Sequence, residues 1–123
     1  HSFGGICTTT LLCDYPDEFA ARVPAIAWTD AINAVSKSLS QSPNLPKNAK
    51  EAKKMLAERE ALIRERSVNW VASTAKLDTP VRSPNKCVEV SAGHDTHEWT
   101  SAACWTSVFK FLDSKVPSDA PPK

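Results

Sequence analysis

With 123 residues, of which 41% are hydrophobic and 24% charged, the chain is long enough to bury one core and too apolar to be wholly disordered. A formal net charge of +1 supplies no general attraction to nucleic acid or anionic lipid, and no apolar run reaches the roughly 18 residues of a membrane span. Three glycines and no Asn-Gly or Asp-Gly pair leave an all-β sandwich without its hairpin turns, so the expected fold class is all-α, a small bundle of three main helices.

Residues 5–13 read as a short fourth helix or an extended lead-in, the threonines leaving both open. Tyr15-Pro16-Asp17 reads as a turn with Asp17 as N-cap. A helix is then expected over residues 17–41, bent or restarted at Pro24. Its stripe of Trp28, Ile32, Val35 and Leu39 follows helical spacing. Ser42-Pro43-Asn44-Leu45-Pro46 ends it.

From Asn48 to Leu77 the chain has neither proline nor glycine and is rich in Ala, Lys, Glu, Arg and Leu, which predicts one helix of roughly 30 residues, about 45 Å long. Leu56, Ile63, Trp70 and Leu77 recur every seven residues along its seam. Its Lys and Arg side chains alternate with Glu in i,i+4 pairs typical of a solvated face, so no nucleic-acid partner is expected. Thr79-Pro80 and Ser83-Pro84 break the chain, and Cys87-Val88-Glu89-Val90 is a strand only if it finds a partner; it reads instead as a connector. The last helix begins near Gly93-His94-Asp95-Thr96, with Asp95 and Glu98 as a capping box. Its expected core positions are Trp99, Ala102, Trp105, Val108, Phe109, Leu112 and Val116. One domain over residues 1–116 is expected, with a frayed tail over 117–123. Trp28, Ile63, Trp70, Trp99 and Phe109 are the anticipated core, each indole N–H needing an acceptor.

Four cysteines, Cys7, Cys13, Cys87 and Cys104, lack the tight knuckle spacing of a zinc site. An even number without a Cys-x-x-Cys pair fits an oxidising compartment. The favoured pairing is Cys7–Cys13 with Cys87–Cys104, two staples that each close a local loop. The chain is therefore expected outside the cytosol, periplasmic or secreted, with its leader removed.

The histidines, His1, His94 and His97, are the chemistry-bearing candidates. An N-terminal histidine chelates copper through its α-amine and imidazole, and His94 or His97 would add a third nitrogen. In that single residue the chain resembles the copper-brace enzymes, whose β-sandwich turns it lacks. His94-Asp95 resembles the His-Asp pair of secreted phospholipases A2, without their flanking cysteines or glycine-rich calcium loop. No Gly-x-Ser-x-Gly elbow, phosphate-cradling glycine loop or His-Glu-x-x-His is found, so no catalytic residue is assigned.

The resulting expectation is a non-catalytic, exported protein-interaction domain without a cofactor, such as an accessory, inhibitor or immunity protein. Its partner would lie in the cell envelope or extracellular space, and the overhang of the long helix would support a homodimer. Copper binding is the alternative function, followed by a secreted effector or toxin, or a small-ligand carrier.

Overall fold

A computed structural model describes residues 1–81 and 87–115. The tail 117–123, Val116 and the Ser83-Pro84 break lie outside the described residues. The chain runs α1 (Gly4–Asp14), α2 (Pro16–Arg22), β1 (Ile26–Thr29), α3 (Val35–Ser40), α4 (Ala49–Arg66), β2 (Ser67–Val71), β3 (Val88–Ser91) and α5 (Thr100–Ser114), the last entered through a 3-10 turn at His97–Trp99.

The fold is not all-α. The three strands form a parallel sheet in the order β1-β2-β3. The helix expected over 17–41 stops at Arg22, ahead of Pro24, and resumes only at Val35. Between them Ile-Ala-Trp-Thr pairs with β2, with Trp28 opposite Asn69. Ile32 stands exposed in the following loop, while Val35 and Leu39 are buried. The expected thirty-residue helix ends at Arg66 as the 18-residue α4. There the chain enters Ser-Val-Asn-Trp-Val, a run with the β-branched and aromatic content of a buried strand. Asn48 caps α4, its side-chain oxygen accepting from the amides of Lys50 and Glu51. Shortening this helix removes the overhang on which a homodimer was expected.

Cys87-Val88-Glu89-Val90 does find a partner: Val68 pairs with Val88 and Trp70 with Val90. The other edge of β3 is covered by the connection from β2, through Val81 N–H to Glu89 O (3.0 Å) and Ser91 N–H to Thr79 O (2.8 Å).

Alternation along the strands divides the interior. Ile26 and Trp28 join Leu12, Cys13, Phe19, Val35, Leu39 and Ile63 on one face, beneath α1 to α4. Ala27, Val68, Trp70 and Val90 face α5 through Cys104, Val108 and Phe111. Trp28, Ile63 and Trp70 are thus interior, whereas Trp99 and Phe109 are 61% and 58% exposed. The Trp70 indole donates to Asp78 (2.9 Å), and that of Trp28 has no acceptor among the described residues.

The expected disulfides are absent: all four cysteines are free thiols. Cys7 and Cys13 both lie on α1, where six residues of rise separate them by about 9 Å, beyond the about 7 Å that a disulfide spans. Cys87 packs in the core cluster under α1 to α4, and Cys104 in the one under α5. Burial pushes the thiols of Cys13 and Cys104 upward. Cys87 is pushed to about 11 from an ordinary 9.0, by burial first and the Glu89 charge second. A raised folded-state value means that the folded chain holds the proton longer, so this contribution to stability is complete below about pH 9 and fades as pH rises toward 11. At pH 8 a disulfide exchange reagent is expected to modify the exposed Cys7 rapidly and the other three only after unfolding; prompt reaction of all four would contradict their burial.

Candidate active site

Open parallel sheets present their chemistry beyond the carboxyl ends of the strands, and three chain segments meet at that end here. The first is the entrance to α1. Ser2 holds φ 49, a left-handed conformation that costs a non-glycine residue energy and marks a backbone under constraint. Its carbonyl accepts from the Gly5 amide (3.1 Å) and the Ile32 amide (3.2 Å), tying the head of α1 to the loop after β1. Gly5 permits this approach: a Cβ there would lie 2.1 Å from the Ile32 carbonyl oxygen.

The second segment is that loop. Asp30, directly after β1, is also left-handed at φ 46. Its amide donates to the Trp70 carbonyl (2.7 Å) and its Oδ1 accepts from the Ala72 amide (3.1 Å), so the end of β2 fixes the carboxylate. Asn69, 1% exposed, clamps the next residue from both sides: its Oδ1 accepts from Ala31 N–H (3.2 Å) and its Nδ2 donates to Ala31 O (3.1 Å). An amide side chain buried in the middle of a sheet thus finds a partner for both its oxygen and its nitrogen by shaping this loop.

The third segment follows β3. Gly93, at φ 75, turns the chain, and the 3-10 turn presents His97. The His97 Nδ1 hydrogen-bonds Asp30 Oδ2. The His97 ring also stacks on that of His1, with centroids 4.5 Å apart and planes at 26°. A serine on a left-handed turn, a histidine whose ring stacks on the residue before that serine, and an aspartate on the histidine's Nδ1 are the residue types of nucleophile, base and orienting acid. The chain order Ser2, Asp30, His97 is that of the α/β hydrolases, whose nucleophile stands on a sharp turn into a helix. The amide following the nucleophile, Phe3 N–H, donates to no described residue; such sites take half of their oxyanion hole from this position.

Sequence reasoning assigned none of these catalytic roles. His1-Ser2-Phe3-Gly4 carries the last four positions of Gly-x-Ser-x-Gly, the first falling before His1, so a search for the whole pentapeptide passes over it. In the sequence Asp30 falls inside the helix expected over residues 17–41, and His97 is a candidate copper ligand. Of the three histidines, His1 and His97 come together, while His94 Nδ1 accepts from its neighbour Thr96 (3.0 Å). Among the described residues no group of three His, Cys, Asp or Glu side chains is arranged to hold a metal ion.

The chain is similar to proteins named cotranscriptional regulator ARB2A. It is 35% identical over 114 residues to the homolog of Dictyostelium discoideum, covering 91% of this chain and 26% of that protein. It is 36% identical over 114 residues to the proteins of Mus musculus and Homo sapiens, covering 91% of this chain and 24% of each. The chain therefore spans about a quarter of the length of these relatives. No family model and no solved structure matches. These likenesses overturn the exported protein-interaction domain, together with its periplasmic or secreted location and its envelope partner. Proteins named cotranscriptional regulators do not match an accessory, inhibitor or immunity protein, nor the copper-binding, effector, toxin and carrier alternatives. The free thiols remove the physical ground for an oxidising compartment as well.

Proposed function

We propose that this segment carries a serine-nucleophile acyl-hydrolase site within a protein that acts alongside transcription. The observation that carries the chemistry is the His97–Asp30 pair, joined through the stack of His97 on His1 to the adjacent serine in the left-handed conformation. The Ser2 hydroxyl adds to the carbonyl carbon of an ester while its proton passes to His97 Nε2. Asp30 holds Nδ1–H, which selects the tautomer able to take that proton and stabilises the imidazolium that forms. The Phe3 amide donates to the carbonyl oxygen as it gains negative charge. Collapse breaks the carbon–oxygen bond to the leaving alcohol, which receives the proton from His97 and leaves Ser2 acylated. Water then repeats the sequence and releases the acid, regenerating Ser2.

The setting rests on the relatives' name, cotranscriptional regulator. It suggests a nuclear location and partners in the transcription machinery or chromatin, and free cysteines suit such a reducing compartment.

A burst experiment tests the chemistry. With p-nitrophenyl acetate the chain is expected to release a rapid first equivalent of p-nitrophenolate and then turn over more slowly. Ser2→Ala should abolish the burst and lower the rate by about 10³-fold or more. Equal rates in the two proteins would refute the assignment.

A further inference from the structure

We infer that His1 is a positioning residue for His97, holding the plane of the base by ring stacking; this rests on the acyl-hydrolase reading above. The hydrogen bond to Asp30 fixes the position of His97 Nδ1 but leaves the ring free to swing about that contact, and its side chain is 41% exposed. A second constraint is needed to keep Nε2 aimed at one point. The His1 ring supplies it, lying against the His97 ring at 4.5 Å and 26°.

His1 is itself held by groups on two elements. Its Nδ1 lies 2.7 Å from the Thr29 carbonyl oxygen at the end of β1 and 3.1 Å from the Thr29 hydroxyl oxygen. The Ser101 hydroxyl, on α5, lies 3.5 Å from the same nitrogen and 2.8 Å from the Thr29 hydroxyl. Because a carbonyl only accepts, Nδ1 carries a hydrogen, and this edge of the ring is tied to β1 and α5. The brace thus runs from β1 and α5 through His1 to His97. A misplacement of about 1 Å in a reacting group costs up to about 10²-fold in rate, so a brace on the base acts on the chemical step and not on the fold.

The test measures the second-order rate at which an alkyl fluorophosphonate modifies the chain. In this reaction the Ser2 oxygen bonds to phosphorus, fluoride leaves and His97 takes the hydroxyl proton. His1→Phe keeps a flat ring without nitrogen, and His1→Ala removes the ring. His1→Ala is expected to slow labelling roughly tenfold, with the melting temperature unchanged and His1→Phe, which keeps the stack but not the Nδ1 contacts, restoring part of the rate. Parent-like labelling in His1→Ala would overturn the positioning role while leaving the Ser2 assignment intact. Equal slowing in both variants would also overturn it, since stacking would then not be the operative contact. A parent chain that is not labelled at Ser2 would overturn the hydrolase reading and this inference with it.

Discussion

Asp30→Asn is expected to slow acylation of Ser2 by about 10⁴-fold, with little effect on the fold. The reason lies in which nitrogen of His97 carries hydrogen. A carboxylate beside Nδ1 accepts, so Nδ1 donates and Nε2 keeps its lone pair for the serine proton. An asparagine can place its NH₂ group there, which favours the opposite tautomer, hydrogen on Nε2, and leaves the base unable to act. The other oxygen still accepts from the Ala72 amide, a contact of 3.1 Å in the parent, so the loop after β1 keeps its shape. Stopped-flow measurement of the p-nitrophenolate burst checks this result. A loss below tenfold would mean that the Asp30–His97 pair serves the structure alone.

Gly5→Ala carries the largest expected effect on stability. The added methyl would lie 2.1 Å from the Ile32 carbonyl oxygen and 2.9 Å from the Ile32 carbon and nitrogen. These are backbone atoms and cannot rotate away, so either α1 or the loop must shift. Overpacking usually costs about 1–3 kcal/mol, and a backbone obstacle places this case at the upper end. For a domain of this size each kcal/mol lowers the melting temperature by roughly 3–5 °C, so a fall of about 10 °C is expected by calorimetry. Gly4→Ala is the control. Nothing lies within 4 Å of its added Cβ, and alanine favours a helix, so its melting temperature should equal or slightly exceed the parent's. Similar melting temperatures for the two variants would contradict the tight approach of α1 to the loop after β1.

Helical content was legible where composition and caps agreed, as in the body of α4 from Ala49 onward. The sheet was not, for reasons visible in particular residues. The lack of Asn-Gly and Asp-Gly turns argues against hairpins, hence against antiparallel neighbours. Parallel strands are joined by crossovers and need no such turn. β1 is four residues long, too short for alternation to stand out from a helical stripe. In β2 the junction with α4 has no proline or glycine, and Trp70 falls by coincidence on the seven-residue spacing of Leu56 and Ile63. Cysteine number alone carried the compartment argument. Four buried or surface thiols satisfy the same composition as two disulfides, and only their places in the fold tell them apart.

The candidate site was still less legible, because its members are far apart in sequence and each has an ordinary reading by itself. Asp30 and His97 are separated by 67 positions, and only the pairing of β1, β2 and β3 brings the strand ends together. The usable signal was local and small: a Ser-x-Gly step at the head of a helix, followed downstream by an aspartate and then a histidine. Its meaning depends on the left-handed turn at Ser2, a property of the backbone that no composition records.

Peptide mapping by mass spectrometry after treatment with a fluorophosphonate tests the assignment of the nucleophile most directly. A single adduct on Ser2, missing from Ser2→Ala and strongly slowed in Asp30→Asn, is the result expected. A folded chain that remains unmodified, or that carries the adduct on another serine, would contradict it.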